Sequence, residues 1–341
     1  MNLDRCFIIA EMSANHGSKL EIALETVRAA ARAGADAIKL QTYRGDTISM
    51  DSKTQDFLIE GTLWDGRYLY DLYEEAHLPW EWHKAIFDEA KKEGLVCFSS
   101  PFDITAVDFL EELKCPIYKI ASFEITDIPL IEYVASKGKP VIISTGIADD
   151  TDIQLAVDSC RKMGNYDITL LKCTSSYPAP IELANLSMIS DLAMRFDVDS
   201  GLSDHTEGIV APIVAVSLGA KVIEKHFILD KSVGGPDASF SLDEKQFTEM
   251  VSAVRDAERA IGTIDYSLTE NQKHNRRFAR SLYVVEDIKA GEKITLQNVR
   301  SIRPGYGMHP KFLHETLDKE VTCDLTKGTA LQKSYLKDRS F

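Results

Sequence analysis

The sequence predicts an α/β fold: a (β/α)8 barrel followed by a small C-terminal module. Three observations lead there. Eight short apolar, β-rich runs recur along residues 1–262, and each is followed by a stretch with helical spacing of its apolar residues. Most of the units are 21–31 residues long, enough for one strand and one crossover helix. The rhythm stops near Gly262 and a different, turn-rich pattern begins.

The runs lie at 5–11, 36–41, 95–99, 116–121, 140–145, 167–173, 197–202 and 221–227. The helical stretches lie at 20–33, 80–93, 106–113, 130–137, 153–163, 186–194, 209–218 and 244–260. In the first helix Ala23, Leu24, Val27 and Ala30 share a face, Ser18 is placed to cap its start and Gly34 to end it. The step from the second run to the third is 59 residues. Its excess, 43–79, carries Trp64, Tyr68, Tyr70 and Tyr73, and a long aromatic-bearing βα loop on a barrel is expected to shape a substrate pocket or to form an extra packed hairpin. Residues 263–280 read as a polar linker, and 281–341 as a compact module with a strand at SLYVV, two turns and a short C-terminal strand.

Composition narrows the function. With 44% hydrophobic and 27% charged residues the chain is globular. Its net charge of −14 excludes a general nucleic-acid binder, which needs a basic face. The charge is uneven: residues 1–270 hold 25 Lys+Arg against 45 Asp+Glu, whereas 271–341 hold 14 against 8. The apolar run at the start is too short for a signal peptide or a membrane span, and none elsewhere reaches eighteen residues. The six cysteines form no C-x-x-C pair and read as small core hydrophobes of a cytoplasmic protein.

Barrel chemistry sits at the C-terminal ends of the strands. Here the runs end in Glu11, Ser13, Asn15 and His16; Lys39, Gln41 and Thr42; Ser99 and Ser100; Lys119 and Ser122; Ser144 and Thr145; Lys172, Thr174, Ser175, Ser176 and Tyr177; Ser203, Asp204, His205 and Thr206; Glu224, Lys225 and His226. Lys39 and Lys119, with the hydroxyls of Ser100, Ser122, Ser144 and Ser203, make a cradle for a small phosphate or carboxylate ligand. There is no G-x-G-x-x-G or Walker motif, so a nucleotide is not expected. His205 and His226 close neighbouring strands, where two imidazoles can share one divalent cation, with Asp204 and Glu224 nearby to orient them. These features also fit a metal-dependent barrel aldolase, which joins or cleaves carbonyl compounds.

The segments IAEMSANH (9–16), KLQTY (39–43), FSSPFD (98–103), YKIAS (118–122), STG (144–146), KCTSSYP (172–178), GLSDHT (201–206), EKHF (224–227), GGPD (234–237) and IRPG (302–305) resemble the sialic acid synthase family in order and spacing, over essentially the whole chain. The resemblance implies a TIM barrel followed by an antifreeze-like (SAF) domain. It implies condensation of phosphoenolpyruvate with an acetamido sugar, giving a nine-carbon nonulosonic acid and phosphate. LWDGRYLYDLYEEAHLPWEWH (63–83) and IEKHFILDKSVGGPDASFSL (223–242) resemble the branch that uses 2,4-diacetamido-2,4,6-trideoxy-L-altrose. The alternative branches make N-acetylneuraminate or legionaminic acid; N-acetylneuraminate synthases tend to carry K-I-P-S-G-E where KIASFE stands at 119–124.

Carried over by position, the resemblance implies Mn or Mg on His205 and His226. It implies phosphoenolpyruvate on Lys39, Ser100, Lys119, Ser122, Ser144, Ser175 and Ser203, with Ser175 standing where N-acetylneuraminate synthases usually have Asn. Glu11 matches the catalytic carboxylate, and Gln41, Tyr177, Glu224 and Asp237 the sugar side. Arg303 matches an arginine that the C-terminal module inserts into the other subunit of a domain-swapped homodimer, so that a basic module would cap its neighbour's acidic barrel. The methyl terminus of a trideoxy sugar calls for a less polar pocket, which Trp64, Tyr68, Tyr70 and Tyr73 are candidates to supply.

Overall fold

The computed structural model describes residues 4–61, 64–338 and 340. The chain divides into two compact units, Met1–Gly262 and Thr263–Phe341.

In the first unit eight parallel strands close into a barrel in sequence order. They are β1 (Phe7–Glu11), β2 (Ala37–Thr42), β3 (Val96–Pro101), β4 (Tyr118–Ile120), β5 (Val141–Ser144), β6 (Ile168–Cys173), β7 (Asp199–Asp204) and β8 (Val222–His226). β7 runs two residues past its sequence-predicted end because Ser203 and Asp204 pair with Glu224 and Lys225 of β8. The outer helices are α1 (Leu20–Arg32), α2 (Gly45–Ile48), α3 (Leu69–Ala76), α4 (Trp80–Lys92), α5 (Ile104–Glu112), α6 (Ile128–Ala135), α7 (Asp150–Lys162), α8 (Met188–Phe196), α9 (Val210–Ser217) and α10 (Glu244–Ile261). Asp103, Asp127, Asp149 and Asp243 accept backbone N–H bonds at the starts of α5, α6, α7 and α10, filling the donors a helix start leaves open. Ser18 does not cap α1. Its φ is 51°, outside the extended geometry of a cap, and Lys19 takes the cap position without a side-chain bond. Gly34, at φ 85°, ends the helix as expected.

Strand side chains alternate between the barrel interior and the helix layer. The inward set begins with an apolar layer of Ile9, Ala37, Phe98, Ile117, Ile142, Leu171 and Val222, all buried in one cluster. Two residues further along each strand the same parity carries Glu11, Lys39, Ser100, Lys119, Ser144, Cys173 and Glu224. The floor of the barrel is therefore greasy and its C-terminal mouth is polar.

The 43–79 excursion folds as α2, a 3-10 turn at Gln55–Phe57 and α3, with an antiparallel bridge between Leu58 and Tyr68. In the second unit α11 (Glu270–Asn275) precedes β9 (Ser281–Val284), which pairs antiparallel with β10 (Val299–Ile302), and a single-turn helix α12 (Leu313–Thr316) follows. Its core is Leu282, Val284, Ile288, Ile294, Val299, Val321, Leu325, Leu331 and Leu336. The expected C-terminal strand is reduced to isolated bridges, Tyr283–Ala330 and Val321–Leu336. Among the described residues, no helix is long and apolar enough to cross a membrane.

Gly201 is the inward residue of β7 in the apolar layer. A Cβ there would overlap the Val222 carbonyl oxygen and lie 2.9 Å from a Leu171 methyl. Backbone of a neighbouring barrel strand cannot move aside cheaply. Gly201→Ala is expected to cost about 1–3 kcal/mol, read as a lower midpoint in urea unfolding.

Candidate functional site

The strand ends enclose a cavity of about 540 Å³. Fixed spacing brings its polar groups together: Glu11 lies beside Lys39 in the β1–β2 register and beside His226 in the β1–β8 register. Lys39 and Glu11 form a buried ion pair. Lys39 Nζ donates to Ser100 Oγ at 3.3 Å, and Lys119 Nζ donates to Ser144 Oγ at 2.7 Å. Glu224 sits between the two lysines, 3.4 Å from Lys119 Nζ and 3.9 Å from Lys39 Nζ, and accepts from Ser203 Oγ at 3.1 Å. Gln41 Nε2 donates to Glu11 Oε1 at 3.2 Å and to Ser13 Oγ at 3.0 Å.

Burial opposes every one of these charges, and the network decides which survive. Burial works against Lys39, but Glu11 and Glu224 outweigh it and hold its pKa above the ordinary lysine value. Burial dominates at Lys119 and lowers it. For Glu224 burial is overcome by Lys119 and Lys39, which keep the carboxylate below its usual range. Burial, reinforced by Glu224, lifts Glu11 despite Lys39.

The His205 and His226 rings stand 5.3 Å apart between centroids. His205 Nδ1 lies 3.0 Å from the Thr174 carbonyl, which can only accept, so Nδ1 carries a proton. Burial works against the charged ring, but Cys173, Thr174 and Glu224 outweigh it and raise its pKa above the ordinary histidine value; in the neutral form Nε2 keeps a lone pair. His226 Nδ1 is buried without a hydrogen-bond partner, 3.8 Å from Asp237 Oδ2. Burial, with the nearby positive charges, pushes His226 well below the usual histidine range, so its imidazole is neutral. An open lone pair on one ring and an orphaned nitrogen on the other fit two-imidazole ligation of a divalent cation. Among the described residues, no group of three or more His, Cys, Asp and Glu is gathered for a metal.

The sequence-predicted residues of the first unit converge. Glu11, Lys39, Gln41, Lys119, Ser122, Ser144, Tyr177, Ser203, His205, Glu224, His226 and Asp237 line the cavity. Ser100 and Ser175 stand one shell back, Ser100 on Lys39 and Ser175 Oγ 2.9 Å from Ser122 Oγ. Arg303 lies in the second unit, exposed just beyond β10. Asp204 touches neither histidine ring; its parity turns it toward the helix layer, where it pairs with Lys225. Glu224 orients lysines rather than rings.

Other strand-end residues are scaffold. Thr42 links Ser99 and His83 through bonds of 2.6 and 2.8 Å, and Lys172 Nζ bonds the Cys173 carbonyl at 2.6 Å. Asn15 Nδ2 ties the β1 loop to Phe227 O and Ser241 Oγ. All six cysteines are free and five are buried, but Cys173, expected in the core, lines the cavity. Of the candidate aromatics Trp64, Tyr68, Tyr70 and Tyr73, Trp64 and Tyr73 line the cavity, with Tyr43 from the start of the excursion, while Tyr68 and Tyr70 are not part of its wall. The excursion's aliphatic residues Ile48, Ile59, Leu69 and Leu72, which sequence reading passed over, complete that wall with Phe102 and Phe123.

Glu124 was also missed, although it follows Ser122 by two residues. It lines the cavity, and its Oε2 is buried without a hydrogen-bond partner. Burial raises its pKa from 4.5 to about 7. A carboxyl raised in the folded chain binds its proton more tightly there than in the unfolded chain. Its contribution to stability therefore falls as pH rises from about 4.5 to about 7. Glu124→Gln is expected to remove that fall, about 3 kcal/mol at most, in denaturant unfolding followed across this range.

A closed parallel barrel with its polar cavity at the C-terminal strand ends is a barrel enzyme in architecture. The chain belongs to the NeuB family, whose model matches residues 26–266, and a SAF domain model matches 279–337. It is 50% identical to a pseudaminic acid synthase of Campylobacter jejuni subsp. jejuni serotype O:2, over 96% of each chain. It is 48% identical to the pseudaminic acid synthase of Helicobacter pylori, over 95% of this chain and 96% of that one. Among solved structures, an N-acetylneuraminic acid (sialic acid) synthetase from Leptospira borgpetersenii serovar Hardjo-bovis, in complex with citrate, matches with a TM-score of 0.71 at 31% identity, covering 80% of this chain and 90% of that chain.

Proposed function

We propose that this chain is a pseudaminic acid synthase: it condenses phosphoenolpyruvate with 2,4-diacetamido-2,4,6-trideoxy-L-altrose and water to give pseudaminic acid and phosphate. The observation that carries this reading is the make-up of one cavity. Its strand-end side is a lysine, hydroxyl and carboxylate network beside an open imidazole pair, and its remaining wall is the apolar surface of the 43–79 excursion.

Lys39, Lys119, Ser122, Ser144 and Ser203 would hold the phosphate and carboxylate of phosphoenolpyruvate, with Ser100 and Ser175 supporting them. His205 and His226 would hold Mn or Mg, which supplies Lewis-acid polarisation of the sugar aldehyde. Carbon 3 of phosphoenolpyruvate attacks the aldehyde carbon, and positive charge develops at carbon 2. Glu11, held by Lys39 and Gln41, stabilises that charge and takes a proton from the water that adds there. Cleavage of the carbon–oxygen bond then releases phosphate.

Gln41, Tyr177, Glu224 and Asp237 would bind the sugar's polar side, and Trp64, Tyr73 and Leu72 its methyl and acetamido methyl groups. Arg303 of a second subunit would complete the site in a domain-swapped homodimer. We place the reaction in the cytoplasm, in keeping with six unpaired cysteines.

The test is a mass-resolved assay of phosphoenolpyruvate against a panel of acetamido sugars, with phosphate release followed in parallel. Product from the diacetamido trideoxy sugar in preference to N-acetylmannosamine supports the reading. Product from N-acetylmannosamine alone defeats it while leaving the family chemistry. Separately, Glu11→Gln is expected to lower kcat by about 10²–10⁴-fold with melting temperature and Mn²⁺ affinity retained, and turnover near the parent's would remove Glu11 from the chemistry.

A further inference from the structure

Behind the two histidines, on the outward parity of the same strands, lies an ion pair that the proposed reaction does not use. Lys225 Nζ meets Asp204 Oδ2 at 2.7 Å, and the two side chains are 0% and 1% exposed. They are direct register partners across β7 and β8. Asp204 is the residue before His205, and Lys225 the residue before His226. The pair also grips the chain just past His205: Asp204 Oδ1 accepts from the Thr206 N–H at 2.9 Å, and Lys225 Nζ donates to the Thr206 carbonyl. The carbonyl of His205 itself accepts from Ala179 N at 2.9 Å. The peptide that follows His205 is thus tied at both its N–H and its carbonyl, and the next carbonyl is tied to the residue preceding His226.

Stability alone does not account for such a pair. Desolvating two charges costs about what their attraction returns, and apolar residues of like volume at such positions are commonly neutral or stabilising. Most of the helix-facing layer of this barrel is apolar. What an apolar pair would not supply is the directed hold on both Thr206 peptide groups.

We propose that Asp204 and Lys225 are positioning residues. Acting through the Thr206 backbone and the β7–β8 register, they set the separation and orientation of His205 and His226, so that the two imidazoles are preorganised for one divalent cation. This rests on the reading of those histidines as the metal ligands. Neither residue touches the cation; their effect is on where the ring nitrogens stand, and groups that orient metal-binding histidines typically contribute 10–100-fold in affinity.

The experiment titrates Mn²⁺ alone, without substrates, into the full-length chain and reads free Mn²⁺ by electron paramagnetic resonance, with thermal melting measured alongside. Asp204→Leu combined with Lys225→Met is expected to melt at or above the parent temperature while its Mn²⁺ Kd rises about 10–100-fold. Asp204→Asn keeps an acceptor for the Thr206 amide but loses the ion pair; it is expected to weaken Mn²⁺ in the same direction, and it decides the matter if the double variant does not fold. A folded variant whose Kd stays within about twofold of the parent overturns the inference, whatever its melting temperature does. His226→Ala separates the two layers of argument. Unchanged Mn²⁺ binding in that variant, or no binding by the parent, defeats the metal assignment itself.

Discussion

Everything in the catalytic unit depends on one constraint: a closed parallel sheet holds its strands in fixed register, and side chains alternate in and out along each. Once Ile9, Ala37, Phe98, Ile142, Leu171 and Val222 fill the barrel as one apolar layer, the next inward position on those strands opens into the mouth. Glu11, Lys39, Ser100, Ser144, Cys173 and Glu224 occupy those positions, with Lys119 above Ile117. Gly201 belongs to the same logic: its missing side chain leaves the room that the Val222 carbonyl and the Leu171 side chain occupy. The chemistry of the mouth is inherited from the packing beneath it.

The alternation also explains how charges can be this deeply buried. Lys39 pairs with Glu11 on the neighbouring strand, and Lys39 and Lys119 both approach Glu224 across the barrel mouth, so each desolvated charge has an opposite charge close by. Under the proposed function, a ligand carrying two negative groups would pair with these lysines. The net charge of −14 is no guide to this. Net charge describes the long-range field and the unsuitability for nucleic acid, whereas ligand choice is local.

The apolar side of the cavity comes from a different part of the chain. The strand ends supply its polar groups, and the excursion between β2 and α4 supplies aliphatic and aromatic surface beside them. A scaffold divided in this way can keep its chemistry while the far end of the substrate changes, since loop residues can be exchanged without disturbing barrel register.

The sequence by itself determined the barrel, because a strand-and-helix repeat and its apolar periodicity are local properties. It also determined most of the site. Glu11, Lys39, Lys119, His205 and His226 all lie at strand ends, and motif order and spacing tied them to a family. Tertiary structure alone decided which strand-end residues share the cavity. Ser99, Lys172, Asp204 and Lys225 are as polar as their neighbours, yet a shift of one residue in a period of two turns them to the helix layer. Glu124 and Cys173 entered the cavity unannounced, since neither a lone carboxylate nor a lone thiol carries a spacing signal. The excursion divided its aromatics likewise, taking Trp64 and Tyr73 into the wall and leaving Tyr68 and Tyr70 out of it. Side-chain direction in an irregular segment follows from what it packs against, and that information is spread over the whole fold.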